Sequence, residues 1–177
     1  EERVATLNKE RPMGKPTEEA APSGRTLTIV SGLPRSGTSL MMQMLKAGGM
    51  EPKTDGQRTA DSDNPEGYLE WEAVKRLAEQ PELFDDPELD NQAIKVISML
   101  LGDLPKQNSY KIIFMVRPVE EVAASQIKMI ERLQSEGSSQ TLDQIAQQLE
   151  QHRRTVLGWM SANEQIQGML VKFSDLI

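Results

Sequence analysis

The chain has 177 residues, 37% of them hydrophobic and 27% charged, with 12 Gly and 10 Pro. That size predicts one domain with a full core and excludes a collagen-like or wholly disordered chain. The absence of Cys excludes disulfides, thiolate zinc sites, iron–sulfur clusters and cysteine nucleophiles, and a net charge of −7 argues against nucleic acid as a partner. Any bound anion must therefore be held by a local constellation of groups.

Residues Glu1 to Gly24 are charged and punctuated by Pro12, Pro16 and Pro22 without an apolar period. They predict a flexible tail or linker, compatible with fusion to a further N-terminal domain, and place the folded domain over 25–177. Thr26 to Ser31 is β-branched and strand-length; it runs into Gly32-Leu-Pro-Arg-Ser-Gly-Thr-Ser39 and then a helical stretch that Gly48 and Gly49 should close. Leu69 to Gln80 has helical spacing before Pro81. Ala93 to Ser98 and Lys111 to Val116 read as strands, the second apolar enough to be covered on both faces. Val119 to Gln134 resumes the helical period. Thr141 and Gln144 form a capping-box pattern opening a long helix with Leu142, Ile145, Leu149, Val156 and Trp159 on one side. Met169 to Phe173 reads as a last strand. Alternating strands and helices predict an α/β fold, a three-layer P-loop NTPase-like arrangement with a central parallel sheet and helices on both faces. No run approaches the roughly 20 apolar residues of a membrane helix, so no membrane span is expected, and the lack of a signal segment or Cys fits a cytoplasmic protein.

A glycine loop between a strand and a helix points consecutive backbone N–H groups and the positive end of the helix dipole at one spot, which is an anion site by geometry. Gly32 to Ser39 has that pattern, with two Gly, a Pro, an Arg and three hydroxyls that a plain strand-to-helix turn does not need. Its Gly-x4-Gly spacing matches the start of a Walker A loop, yet Thr38 stands where the Walker lysine belongs and the basic residue is Arg35. The metal-holding Asp expected after a buried strand is replaced by Arg117, a phosphate ligand rather than a metal ligand, so no metal is expected. Ser125 lies eight residues on from Arg117, where the following helix brings it to the same sheet edge.

These two segments resemble the cofactor signature of the sulfotransferases that use 3′-phosphoadenosine 5′-phosphosulfate (PAPS). The Pro34-Arg35-Ser36-Gly37-Thr38-Ser39-Leu40 loop is similar to the PxSGTxxL loop of that family, and its GxPRSGT form is closest to the tyrosylprotein and bacterial branches. The resemblance implies that Arg35 contacts the phosphosulfate, that Pro34, Ser36, Gly37, Thr38 and Ser39 line the 5′-phosphate cradle, and that Arg117 and Ser125 bind the 3′-phosphate. Phe173, in VKFSDL, resembles the VxYEDL strand end beside the adenine. Lys95 resembles the lysine of the KxH element, whose His is replaced by Ile97. The implied activity is sulfuryl transfer to a hydroxyl or amine acceptor, with PAPS as cosubstrate.

Such a transfer needs a proton acceptor. Without the KxH His, the branches that use an acidic residue soon after the first helix offer Asp55 as the leading base, with Asp61, Glu66 and Glu70 as rivals and solvated loop charges as the plain alternative. His152 sits at helical spacing between Leu149 and Val156 and reads as structural. Met41, Met42 and Met44 read as core, and Tyr68 and Trp71 as packing residues rather than an acceptor pocket. The RKGxxGxxK segment of cytosolic members has no counterpart before Ile177, consistent with a branch that does without it or a domain truncated at its C-terminus. Two other functions fit the loop: a P-loop small-molecule kinase, and a non-catalytic nucleotide-binding module of the same fold.

Overall fold

Thr26–Gly32 (β1) is extended because its β-branched residues pack on both sides of a pleated ribbon: Leu27 and Ile29 point to one face, Val30 to the other, and all three are fully buried. In the computed structural model, which describes residues 24–57, 67–132 and 141–177, β1 is the middle of a five-stranded sheet. The elements that follow are α1 (Thr38–Ala47), β2 (Glu51–Pro52), β3 (Gln92–Lys95), β4 (Ser109–Val116), α2 (Val119–Arg132), α3 (Leu142–Ala162) and β5 (Ile166–Lys172). The strand order is β2-β3-β1-β4-β5 and every pairing is parallel. This is the expected α/β architecture, a parallel sheet with helices on both faces. The expected tail lies outside the described residues, apart from Gly24.

The two faces carry separate cores. On one, Leu27, Ile29, Ile94, Tyr110, Ile112 and Phe114 pack against Val156 and Met160 of α3. On the other, Val30, Ala93 and Met115 pack against Met41 and Met42 of α1. A third cluster joins Leu33 at the start of the loop to Val122 and Ala123 of α2 and Ile145 and Leu149 of α3. Met44, by contrast with its two neighbours, lies at 43% exposure on the outer side of α1. Edge strand β5 is covered less than the rest, leaving Met169 and Leu170 exposed.

Several boundaries move for physical reasons. The span 69–80 forms only a 3-10 turn, Glu72–Arg76, followed by two more at Pro81–Asp85 and Pro87–Asn91. Prolines at the starts of the latter two and the anchoring of Val74, Leu77, Phe84 and Leu89 in one core hold the chain in short turns rather than one helix. β3 stops at Lys95 because Ser98–Asp103 turns into a 3-10 segment that buries Leu100 and Leu101. The two-residue strand β2 had no apolar alternation to reveal it. β5 begins three residues earlier than Met169, paired through Ile166 to Tyr110. At the end of α1 only Gly49 is left-handed, with φ 91°, while Gly48 has φ −79°. The capping box is present: Gln144 N donates to Thr141 Oγ1 at 3.3 Å and Thr141 N donates to Gln144 Oε1 at 2.9 Å. Among the described residues, no helix is long and apolar enough to cross a membrane.

Half-buried His152 of α3 lies 3.0 Å from the Oγ of fully buried Ser98, and burial lowers its pKa from the ordinary 6.5. The unfolded chain thus takes up this proton at a higher pH than the native one, so the stability it sustains is complete above 6.5 and declines as pH falls through that value. Denaturant midpoints measured from pH 7.5 to about 5 should fall for the wild type and fall less for His152→Gln; equal slopes would remove His152 from the acid sensitivity.

Candidate functional site

In a parallel sheet all strands end at one edge, and here that edge collects the residues singled out by sequence. β1 delivers the loop Leu33 to Gly37, which ends at the N-terminus of α1. β3, paired Val30 to Lys95, delivers Lys95; β4, paired Gly32 to Met115, delivers Arg117 just past its end; β5, paired Val116 to Lys172, delivers Phe173. The expected groups thus converge although they come from four strands.

The loop is built by three backbone torsions. Gly32 (φ 151°), Arg35 (φ 71°) and Gly37 (φ 98°) all lie where L side chains are disfavoured, and Ser36 N donates to Leu33 O at 3.1 Å to close the turn. A Cβ on Gly32 would collide with Ser36 Oγ, and one on Gly37 would come within 2.5 Å of the Phe173 ring. Both glycines are therefore fixed by close approach as well as by φ. Arg35 has no such freedom and keeps a left-handed conformation, the kind of local strain that surrounding contacts must hold in place. Ser36 is 1% exposed and its hydroxyl has no hydrogen-bond partner. That hydroxyl packs against Gly32, in the space a Cβ there would need.

Each cation at the site is held by an internal partner. Arg35 Nε donates to Ser125 Oγ at 3.0 Å, so Ser125, expected to work with Arg117, instead meets the loop arginine. Arg117 Nη1 donates to Arg35 O at 3.3 Å, its Nε pairs with Glu121 at 2.8 Å, and its guanidinium stacks 4.6 Å from the Phe173 ring centroid. Arg153 of α3 donates to Arg117 O at 3.3 Å and pairs with Glu150, bracing the end of β4 from behind. Sequence reading passed over Glu121 and Arg153; the four-residue spacing from Arg117 into the first turn of α2 was the available signal for the first, and none existed for the second.

Among the described residues Lys95 is the most enclosed charge, its side chain only 4% exposed. Its Nζ donates to Ser39 Oγ at 3.0 Å, to Tyr68 O at 2.9 Å and to Glu70 Oε1 at 2.9 Å. A buried ammonium is tolerated only with its hydrogen bonds met and a counter-charge nearby, and removing one partner of such a pair costs about 3–5 kcal/mol. A lysine from the strand adjacent to β1 is thus set against the second hydroxyl residue of α1. Tyr68 is buried with its ring 5.8 Å from that ammonium, whereas Trp71 stacks on Phe84 at 6.2 Å and belongs to the core.

The acidic candidates separate. Asp55 is exposed, and both its oxygens accept from backbone: Oδ1 from Gln57 N at 3.1 Å and Oδ2 from Glu72 N at 2.9 Å. It staples two loops together. Glu70 alone among the described candidates reaches Lys95; Asp61 and Glu66 lie outside the described residues. His152 touches Ser98 on the α3 side of the sheet. Among the described residues no group of three His, Asp or Glu is placed to hold a metal ion.

The loop's dependence on Gly37 is testable. Gly37→Ala combines a disfavoured φ with contact on Phe173 and should lower stability by about 1–3 kcal/mol and weaken anion binding. Thermal melts with and without sulfate should show both losses, whereas a wild-type melting curve and sulfate response would mean the loop tolerates a side chain there.

No protein-family model matches the chain, and no curated protein matches it. Among solved structures, an unliganded sugar kinase from Janibacter sp. HTCC2649 superimposes with a TM-score of 0.40 and 15% identity, over 84% of this chain and 84% of that one. A likeness this slight assigns neither activity nor ligand, and the functional reading stands on the chain's own residues.

Proposed function

We propose that this domain is a sulfotransferase that moves the sulfuryl group of PAPS to a hydroxyl or amine acceptor. The observation that carries the reading is the loop around the orphaned Ser36 hydroxyl, lined by Arg35 and flanked by Arg117 stacked on Phe173, with no lysine at the Walker position. A phosphosulfate needs cations on its bridging and terminal oxygens, a 3′-phosphate needs a second cationic pocket, and an adenine needs an aromatic face. Arg35, Arg117 and Phe173 are suited to those three tasks, with Ser125 accepting from Arg35.

Transfer is in line. The acceptor oxygen or nitrogen attacks sulfur, the bond from sulfur to the 5′-phosphate oxygen breaks, and 3′,5′-adenosine diphosphate leaves with the electron pair. Backbone N–H groups of Ser36 to Ser39 and the Arg35 and Lys95 charges stabilise that leaving phosphate. The acceptor's proton goes to a carboxylate of the segment after α1. Glu70 suits this better than Asp55, because an Asp55 that left its two amides would open the stapled loops. An amine or hydroxyl acceptor would approach from the Tyr68 and Glu70 side of the loop.

The reading is tested by calorimetric titration with 3′,5′-adenosine diphosphate beside 5′-ADP, each with and without Mg²⁺. Metal-independent binding that requires the 3′-phosphate is expected. Preference for 5′-ADP with Mg²⁺ would instead indicate a small-molecule kinase, and tight 3′,5′-ADP binding without turnover of PAPS by any acceptor would indicate a non-catalytic module.

Two substitutions refine it. Arg35→Ala should lower turnover by about 10²–10³, and near-normal turnover would take Arg35 out of the reacting centre. Arg117→Ala should weaken 3′,5′-ADP far more than 5′-ADP; equal losses would put the 3′-phosphate elsewhere.

A further inference from the structure

Lys95 sits between two claims on one charge. On one side is Ser39 Oγ, at the loop where a ligand oxyanion is to be held; on the other is Glu70 Oε1, 2.9 Å away. The ammonium is 4% exposed and the Glu70 side chain 17%, so water screens this pair little. A cation in that position cannot satisfy an incoming dianion and an ionised carboxylate equally, because each withdraws field from the other.

We propose that Glu70 is a built-in counter-anion that competes with the loop's ligand for Lys95, so that oxyanion binding at the loop is coupled to protonation of Glu70. An oxyanion drawing Lys95 toward Ser39 leaves Glu70 with less positive field, and Glu70 then binds a proton more readily. By reciprocity, protonating Glu70 strengthens the loop's grip on the anion. The charge balance is simple: one anion enters, one proton is taken up from solvent by the Glu70 carboxylate, and no bond is made or broken elsewhere. In the reaction above, Glu70 serves as proton acceptor only in molecules where it has not taken up this proton from solvent. The coupling rests on the reading of the loop as an oxyanion site and not on the identity of the sulfuryl donor.

Among the described residues, other charged and polar groups also stand near the pair. The Glu70 carbonyl accepts from Asp55 N at 3.4 Å and from Thr54 Oγ1 at 3.0 Å, while the Asp55 carboxylate lies on Glu72 N and Glu72 pairs with Lys75. The Tyr68 phenol ring faces Lys95 Nζ, Arg35 belongs to the loop itself, and Lys53 is engaged by Asp86 and Glu88. Among the described residues Glu121, which holds Arg117, is another carboxylate whose protonation would free a cation at this edge. Comparison of Glu70 variants with wild type isolates the Glu70 contribution from these.

Sulfate is the probe, because it carries the same charge throughout the range studied. Its dissociation constant for the full chain is measured from chemical-shift titrations between pH 7.5 and about 5. For the wild type, affinity should rise as pH falls, by at most about tenfold per pH unit for one linked proton. Glu70→Gln keeps the shape and a hydrogen-bond acceptor for Lys95 but removes the charge. It should bind sulfate more tightly than wild type at pH 7.5 and show a shallower pH dependence. A carboxylate that merely supports the fold predicts the opposite, weaker binding in Glu70→Gln with an unchanged slope, and that result overturns the proposal. Lys95→Met should bind weakly at every pH with the same loss of slope. Should Glu70→Gln fail to fold by circular dichroism, the wild-type slope and Lys95→Met decide alone: a flat wild-type profile, an unaltered slope in Lys95→Met, or no sulfate binding at any pH each overturns it. Sulfate linkage as described, with no preference for 3′,5′-ADP over 5′-ADP, would leave the coupling standing and reject the sulfuryl donor.

Discussion

The parallel pairing of β1 with β3 on one side and β4 on the other is the constraint from which the site follows. Because the three strands run the same way and in the register Ile29 to Ile94 and Ile29 to Ile112, their last residues fall at one level of one edge. Gly32, Lys95 and Arg117 then need no further arrangement to meet. A one-residue slip of β3 would exchange Lys95 with a neighbour destined for the opposite core and place an ammonium among Leu100 and Leu101, a cost no alternative pairing could offset. The buried faces therefore fix the register, and the register fixes the chemistry.

Concentrating cations at that edge creates its own problem. Unit charges about 4 Å apart at an effective dielectric near 20 repel by about 4 kcal/mol, and the net acidity of the chain does not help unless acids stand close. The fold answers locally. Glu121 reaches Arg117 along a helix turn, Glu70 reaches Lys95 across a loop, and Arg35 rests on the Ser125 hydroxyl. The Phe173 ring takes one face of the Arg117 guanidinium and also fills the space a side chain on Gly37 would need, so the end of β5 and the glycine loop are one packing unit. The cations at this edge are thus preorganised with their charge already balanced by internal partners.

Much of the fold was legible because it depends on short-range pattern. The β-branched run of β1, the Gly32 to Ser39 loop, the Thr141 capping box and the apolar stripe of α3 each announce themselves within a few residues. The stretch from 69 to 91 was not legible, since its helical spacing of apolar residues also serves a chain of 3-10 turns broken by prolines, and only the shared core of Val74, Phe84 and Leu89 selects the latter. The same limit applies to Ser125, whose spacing from Arg117 says that both reach one edge but not which arginine it will touch.

The sequence by itself determined the class of fold, the position of the glycine loop, the absence of a lysine from it, the strand that carries Lys95, and the strand-end placement of Arg117 and Phe173. Those are properties of residue type and local spacing, which the backbone converts into structure one element at a time. The tertiary structure decided the partnerships: Lys95 with Glu70 and Ser39, Arg35 with Ser125, Asp55 with two backbone amides, and Arg153 behind Arg117. Apart from Asp55 with nearby Gln57, these contacts join residues far apart along the chain. Their energy depends on distances set by sheet register and by how much water is excluded, neither of which a linear pattern of residues contains.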